Sequence, residues 1–363
     1  MTLLKCPILP LILLTTPSLA LAAGERVQFN RDIRPILSEN CYYCHGPDPK
    51  HREADLRLDV RDAAVESRAI VPGSPSDSEL IARILTEDED DLMPPPDAHK
   101  ILKPKEKEIL QRWVAEGAEY QGHWAFEKPV RPTVPAIDGT TTPIDAFVAE
   151  RLQKENLSLS PAADKRTLIR RVTLDLTGLP PTSSDVEAFV ADTSANAFEK
   201  VVDRLMKSPA YGEHMAAQWL DFARYADSHG FQTDSSRIMW PWRDWVISAL
   251  NDNMPFDQFT IEQLAGDLLP EPSLSQQVAT GFHRNHRING EGGIIDEEWR
   301  IENIIDRVDT TGATWMGLTL GCARCHDHKY DPISQKEFYE LFSFFNNIDE
   351  TGVIRGGSNR IGG

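Results

Sequence analysis

Two short stretches of the sequence repeat one arrangement of side chains that can do chemistry. Each has two cysteines three positions apart, followed at once by a histidine: Cys41, Cys44 and His45 in NCYYCHGP, and Cys322, Cys325 and His326 in GCARCHDHKYDP. On one helical turn, two thiols at this spacing suit thioether bonds to both vinyl groups of a haem, and the adjacent histidine reaches the iron as proximal ligand. The repeat therefore predicts two covalently attached haems c.

Zinc and disulfide chemistry use the same residue types and stay open as alternatives. Structural zinc sites usually take four ligands from short spacings, whereas these two pairs lie near opposite ends of the chain. Disulfides are compatible with an exported protein, but they do not account for a histidine at the same offset in both motifs. We therefore favour haem at both, and the first site is the better supported.

A sixth iron ligand for the first haem is available in the stretch DDLMPPPD. Prolines at 94–96 hold the loop extended, and a methionine sulfur opposite a histidine favours ferrous iron and raises the potential. Met93 is thus the predicted distal ligand, with core filling as the alternative and His51 and His99 as lesser candidates. The acidic run at 87–91 could steer a basic redox partner protein if it lies near the haem.

The distal ligand of the second haem has no comparable signature. His286, in the glycine-rich NHRINGEGG, is the preferred candidate because such a loop allows close approach to a flat ligand. His328 lies only two residues beyond the proximal histidine, so we expect it to bond a propionate or a substrate instead. An open sixth position would permit binding of small ligands or catalysis. The other candidate ligands are His214, His229, His283 and Met316.

Polar residues in the same region are weak candidates for catalysis. Arg224, Asp227, Glu291 and His328 could orient a polar substrate or act as general acid and base. The alternative for Arg224 and Asp227 is an ion pair on a helix surface, which is the commoner arrangement. Further charged residues in these strings are Asp234, Asp296 and Arg300.

Composition and the N-terminal segment limit the class of protein. The chain has 363 residues and a net charge of -18 with a pI of about 5.0, which argues against a nucleic-acid partner. Residues 1–23 have one lysine, a proline-interrupted apolar run and the small-residue site Ala20-Leu21-Ala22, typical of a secretory signal peptide. We expect cleavage and no membrane span afterwards, with a retained anchor as the alternative. Export to the periplasm or cell surface follows.

Helical periodicity dominates the rest of the chain and predicts an all-α fold in two domains. A small cytochrome c-like domain covers 24–122, with Asn30 capping the helix that leads into the first motif and a helix from Pro104 closing the domain. A proline-rich linker covers 123–143, and a larger helical domain with the second motif covers 144–350. Its last long helical pattern runs from Asp296 to about Leu320.

The stretch MWPWRDW in this domain places three tryptophans close together. Indole faces can stack on sugars, but tryptophans in a helical domain are more often core residues. We therefore predict that Trp240, Trp242 and Trp245 belong to the core.

Several long strings resemble a known family architecture. NRDIRPILSENCYYCHGPD, IVPGSPSDSEL and LMPPP resemble the planctomycete-type cytochrome c domain. RRVTLDLTGLPPT, NMPFDQF, NHRINGEGG and GCARCHDHKYDPISQKEFY resemble the planctomycete-specific cytochrome-linked domain of unknown function. The resemblance implies an exported haem protein and a link to polysaccharide-related substrates. Related chains usually continue further, so the glycine-rich 351–363 is interpreted as a junction.

Three functions are compatible with these features. The leading hypothesis is electron transfer by a dihaem c-type protein. The second is a haem-dependent oxidoreductase acting on a carbohydrate-related substrate, so enzymatic activity stays open. The third is a non-redox carbohydrate-binding scaffold with a single haem.

Overall fold

The computed structural model of the protein describes residues 26–230 and 234–352. In these ranges the regular structure is helical, with 15 α-helices and, as the sole β feature, an isolated bridge between Ser228 and Ser236. The prediction of an all-α fold is confirmed. No helix in the described ranges is long and apolar enough to cross a membrane. The predicted signal peptide at 1–23 and residues 353–363 of the predicted junction lie outside the described residues.

The chain divides into two units. The division falls between Lys128 and Pro129, and the short segment Lys329–Asp331 groups with the first unit. The predicted domain bounds, including the linker at 123–143, stay predictions.

The first unit packs five α-helices around one apolar core. The core includes the fully buried Ile33, Leu37, Leu110, Trp113 and Val114. The α-helices of this unit are α1 (Arg34–Asn40), α2 (Tyr42–His45), α3 (Arg61–Glu66), α4 (Glu79–Leu85) and α5 (Pro104–Ala115).

The sequence predicted the last helix of this unit correctly but not the N-terminal cap of its first helix. Helix α5 starts at Pro104, where the missing N–H would have had no helical partner, and it ends just before Gly117, whose φ is 109°. The predicted cap at Asn30 is wrong. Asn30 lies inside a π-helical turn, Phe29–Ile33, and its side-chain amide donates instead to the carbonyl of Gly122 at 2.7 Å.

The second unit contains the other ten described α-helices. Side-chain caps begin several of them; for example, the Asp164 carboxylate accepts from the Thr167 N–H at 3.0 Å. The helices are α6 (Pro143–Lys154), α7 (Lys165–Thr177), α8 (Ser183–Ala191), α9 (Ala197–Met206), α10 (Pro209–Phe222), α11 (Trp240–Asn251), α12 (Phe256–Ala265), α13 (Leu274–Ala279), α14 (Asp296–Thr311) and α15 (Gln335–Ser343).

The tryptophans of α11 divide between core and surface. Trp242 and Trp245 are buried and pack in a cluster with Phe259 and Phe282. Trp240 is 51% exposed. The prediction of a core role is therefore confirmed for two of the three and wrong for Trp240, which occupies the first position of the helix.

Helix α14 ends earlier than its sequence pattern predicted. It stops at Thr311, and a π-helical turn, Gly312–Met316, leads to Gly317 with φ of 64°. A Cβ at Gly312 would come within 2.6 Å of the Leu320 side chain. The glycine therefore lets the chain turn back, so that Leu320 packs in one cluster with residues of α14.

Candidate haem sites

The first Cys-x-x-Cys-His motif occupies the end of α1 and the single turn α2. The Cys41 N–H donates to the Leu37 carbonyl at 2.7 Å, and the His45 N–H donates to the Cys41 carbonyl at 2.8 Å. The carbonyl of His45 in turn accepts from the N–H of Leu58 at 2.8 Å. The motif backbone is thus fixed both by the helix before it and by the loop after it.

The side chains of this motif line a cavity of about 540 Å³, within the ~300–1,000 Å³ range of cofactor sites. Met93 lines the same cavity, so the structure brings together the proposed attachment cysteines and both proposed iron ligands. The polar and motif lining residues include Cys41, Cys44, His45, Glu53, Arg83 and Met93, and the apolar ones include Leu56, Leu58, Leu80, Ile84, Pro94 and Pro95.

Burial sets the protonation state of the motif. It raises the pKa of the Cys41 thiol to about 12, raises the pKa of the Cys44 thiol and lowers the pKa of His45. Both thiols are free, and the neutral imidazole that burial favours is the form that ligates metals. The buried Nδ1 of His45 has no hydrogen-bond partner among the described residues. Free thiols, a neutral imidazole, a thioether and an apolar lining together fit haem c.

Met93 is positioned by its backbone. Its N–H donates to the carbonyl of Arg83 in α4 at 3.0 Å, and the Arg83 guanidinium pairs with Asp91 at 3.3 Å. The other two candidate ligands do not line the cavity: His51 bonds Asp48 at 2.9 Å, and His99 is exposed. The acidic run at 87–91 is exposed just before Met93.

The second motif has a different setting. Gly321–Arg324 forms a 3-10 turn, and Cys322 and Cys325 are exposed free thiols. The turn is held by Arg324, whose guanidinium pairs with Glu302 of α14 at 2.6 Å. His326 is exposed, and its Nδ1 lies 2.7 Å from the carbonyl of Asp327. Such a bond leaves Nε2 available to a metal, which is the usual arrangement of a ligating histidine. The donor set therefore fits a haem here as well.

His286, the preferred distal candidate for the second haem, has both ring nitrogens engaged. Its Nε2 accepts from Arg307 at 3.0 Å, and its Nδ1 lies 3.0 Å from the Arg287 carbonyl. The side chain is only 7% exposed, and burial together with the Arg307 charge lowers its pKa to about 4. Its role as iron ligand stays a prediction.

The other distal candidates are scattered through the second unit. His283 bonds the Leu264 carbonyl at 3.2 Å, Met316 is exposed, His214 lies against Gly178, and His229 is half-buried.

The weak catalytic candidates also have structural partners. Arg224 lies two residues beyond the end of α10 and forms an ion pair with Asp306 of α14, which agrees with the structural alternative for this residue. Asp227 accepts instead from the Tyr225 hydroxyl at 2.5 Å. Glu291 is exposed, whereas His328 is buried and donates its backbone N–H to Ile333 at 2.8 Å.

The remaining charged candidates serve local structure. Asp234 accepts from the Gly230 N–H at 2.8 Å, and Asp296 begins α14. Arg300 pairs with Glu297 at 2.8 Å.

The sequence did not indicate the buried ion pair of the second unit. Arg307 and Glu350 form an ion pair, with the Arg307 Nη2 2.7 Å from the Glu350 Oε2. Their side chains are only 4% and 7% exposed. The two residues are 43 positions apart and carry no motif, so nothing local in the sequence indicated them. Within the ranges described, no three His, Cys, Asp or Glu side chains are grouped so as to hold a bare metal ion.

The fold and the first site define an all-α protein with a cytochrome c domain, a class that carries haem c and is typically exported. Residues 41–97 match the family described as Planctomycete cytochrome C. Residues 143–350 match the family described as Protein of unknown function (DUF1549), and the chain belongs to that family. The predicted resemblance is thus confirmed, in the predicted order of domains. No curated protein and no solved structure is significantly similar to the chain.

Proposed function

We propose that the protein is an exported electron-transfer protein with two haems c, one at each Cys-x-x-Cys-His motif. The observation that carries this proposal is the cavity of the first unit, where Cys41, Cys44 and His45 meet Met93. Bound haem c would supply reversible one-electron chemistry between ferrous and ferric iron. The class of reaction is therefore redox.

The residues of the first unit would each have a distinct role. Cys41 and Cys44 would hold the group covalently, and His45 would present a neutral imidazole as proximal ligand. Met93 would supply a second protein ligand to the iron and favour the ferrous state. The apolar part of the lining would make the surroundings of the haem less polar, which would also raise the potential because a positive charge is disfavoured there.

At the second motif, Cys322 and Cys325 would supply the attachment and His326 the proximal ligand. Because this motif is exposed, a haem bound there could exchange electrons with a partner or substrate. A periplasmic or cell-surface location, without a membrane span after signal cleavage, suits this role.

The partner we propose is a protein with a basic surface, because the run at 87–91 is acidic and exposed beside the loop of Met93. Attraction of this kind weakens as salt screens it. The charge of the chain makes nucleic acid an unfavourable partner.

A redox titration of the haem-loaded protein, followed by its visible spectrum, tests the proposal. We expect two reversible one-electron steps, one of them with the charge-transfer band of methionine-to-iron ligation in the oxidised state. A protein that takes up haem but shows no reversible reduction would contradict an electron-transfer role.

A second candidate function is a haem-dependent oxidoreductase acting on a carbohydrate-related substrate. It is favoured by one observation: both ring nitrogens of His286, the preferred candidate for the sixth ligand, are hydrogen-bonded within the protein, so this histidine would not be free to ligate a second haem. Carbon monoxide added to the reduced protein should then bind at the second haem and not at the first, which Met93 closes. Failure of carbon monoxide to perturb either haem would count against the oxidoreductase and leave electron transfer alone.

A further inference from the structure

Two segments of the second unit are joined by hydrogen bonds through one arginine. Arg237 precedes α11, and its Nη1 and Nη2 donate to the carbonyls of His286 and Arg284 at 2.8 and 2.9 Å. The N–H of Ile288 donates back to the carbonyl of His229 at 3.2 Å. These bonds hold His229 and Arg237 beside the 284–288 segment.

This junction carries two guanidinium groups that carboxylates influence only from a distance: Asp227 acts on Arg237, and Glu350 acts on Arg284. Arg237 and Arg284 are both half-buried, and burial lowers the pKa of each guanidinium. Neither forms an ion pair with a carboxylate in the described part of the chain, although two neighbouring arginines do: Arg224 pairs with Asp306, and Arg307 pairs with Glu350. An unpaired guanidinium is costly to bury, so a negative charge would be stabilised there.

Hydrogen-bonding groups at the junction are unsatisfied as well. The buried Nε of Arg237 and the buried Nδ1 of His229 have no partner among the described residues. The guanidinium of Arg284 also donates to none of them, but it is half-buried and its nitrogens are open to solvent. Burial lowers the pKa of His229, and the nearby charge of Arg237 lowers it further. A buried donor left without an acceptor costs about 1–3 kcal/mol, and such groups often mark a ligand or ion site.

The carboxylates that flank this junction are already engaged. Asp227 accepts from the Tyr225 hydroxyl at 2.5 Å. Asp234 accepts from the N–H of Gly230 at 2.8 Å. Neither carboxylate accepts a hydrogen bond from Arg237, Arg284 or His229 in the described part of the chain.

We propose that Arg237, Arg284 and His229 bind a small oxyanion, namely the carboxylate, sulfate or phosphate group of a ligand. Arg284 presents a planar pair of N–H donors that matches two oxygens of such a group. Arg237 contributes its Nε–H, because its Nη1 and Nη2 already donate to backbone carbonyls. His229, with its proton on Nδ1, contributes a further donor. This oxyanion site requires neither a second haem nor electron transfer, so it goes beyond the proposed function.

Titration of the haem-loaded mature protein with simple anions tests the site. Sodium sulfate, sodium phosphate and sodium acetate are each added at pH 7, with sodium chloride at equal ionic strength as the reference. We expect at least one oxyanion to bind saturably by calorimetry and to raise the melting temperature, because a ligand of the folded state stabilises it. The anion that binds most tightly identifies the chemical class of the ligand.

Variants then locate the binding. Arg284→Gln removes one guanidinium that makes no hydrogen bond to the described protein, and it should weaken oxyanion binding at least about tenfold. His229→Gln, a second variant, should weaken it to a smaller extent. Arg166→Gln removes an equal charge from an exposed position of α7 and should leave binding unchanged.

Two results would overturn the proposal. The first is that none of the three oxyanions has a saturable effect on the wild-type protein beyond that of chloride. The second is that Arg284→Gln binds as well as Arg166→Gln. The wild-type titration decides alone if Arg284→Gln fails to fold, and the redox titration of the haems is independent of both outcomes.

Discussion

Replacing Glu350 by glutamine should strongly destabilise the second unit. The change keeps the size of the side chain but removes the charge that compensates Arg307, and both side chains are more than nine-tenths buried. Breaking a buried ion pair by removing one partner typically costs about 3–5 kcal/mol, because the remaining charge stays desolvated. Since domains are stable by only about 5–15 kcal/mol, this is a large fraction of the total.

Urea unfolding of the haem-loaded protein, followed by circular dichroism, measures this cost. The matched control is Glu340→Gln, because Glu340 pairs with Lys336 at 3.5 Å on the surface of α15, where both side chains are well exposed. We expect the control to change the free energy of unfolding by no more than about 0.5 kcal/mol. If Glu350→Gln is no more destabilising than Glu340→Gln, the ion pair between Arg307 and Glu350 is not buried away from water, contrary to the structure.

A double variant refines the same test. Arg307→Met with Glu350→Leu removes both charges, and apolar replacement of a buried ion pair is often neutral. Here it should recover only part of the loss, because Arg307 also donates to the His283 carbonyl at 2.9 Å and to the His286 ring at 3.0 Å. Leaving those two buried acceptors unpaired should cost about 1–3 kcal/mol each.

Three further changes have defined outcomes. Met93→Ala should remove the methionine-to-iron charge-transfer band and lower the potential of one haem only, as a redox titration would show. Acidification should lower the free energy of unfolding. Burial lowers the pKa of His283 and His286 from 6.5 to about 4. The stability that these neutral histidines contribute is therefore fully present above pH 6.5 and is lost as the pH falls towards 4. Urea unfolding should show that the free energy of unfolding falls by about 1.4 kcal/mol per pH unit for each histidine in this range. Gly46→Ala should reduce haem incorporation at the first motif, measured by mass, because its Cβ would lie 2.2 Å from the Tyr42 carbonyl oxygen.

Each of these changes has a control or a contradicting result. Met206→Ala removes a methionine that is 46% exposed and should leave both potentials unchanged. An unchanged spectrum in Met93→Ala would move the distal ligand elsewhere. A stability that is flat from pH 6.5 to 4 would mean that the two histidines are not buried as neutral groups. Gly292→Ala, where a Cβ meets nothing within 4 Å, should load haem normally.

Local sequence signals predicted much of the fold and of the first site. The 3.6-residue period and the proline at the start of α5 predicted helices that the structure contains. Met93 was selected as the candidate ligand because a methionine followed by prolines is poor material for a helix face. The structure places it on the cavity of the first motif, and its ligation of iron stays a prediction. Such features depend on neighbouring residues, so they are visible in the sequence.

Features that depend on distant residues were not predictable in the same way. The end of α14 is set by the fit of Gly312 against Leu320, and the burial of Arg307 depends on Glu350, which comes 43 positions later. Asn30 has a residue type that suits a helix cap, but its amide bonds the carbonyl of Gly122. In each case a tertiary contact overrides or adds to the local preference.

Counting covalently bound haems tests the central claim most directly. The mature protein, produced with a haem c maturation system, is denatured and weighed by mass spectrometry beside two variants that lack the cysteines of one motif each: Cys41→Ala with Cys44→Ala, and Cys322→Ala with Cys325→Ala. The account predicts two haems in the wild-type protein and one in each variant, with iron as the bound metal. A wild-type mass with fewer than two haems, or zinc in place of iron, would contradict it.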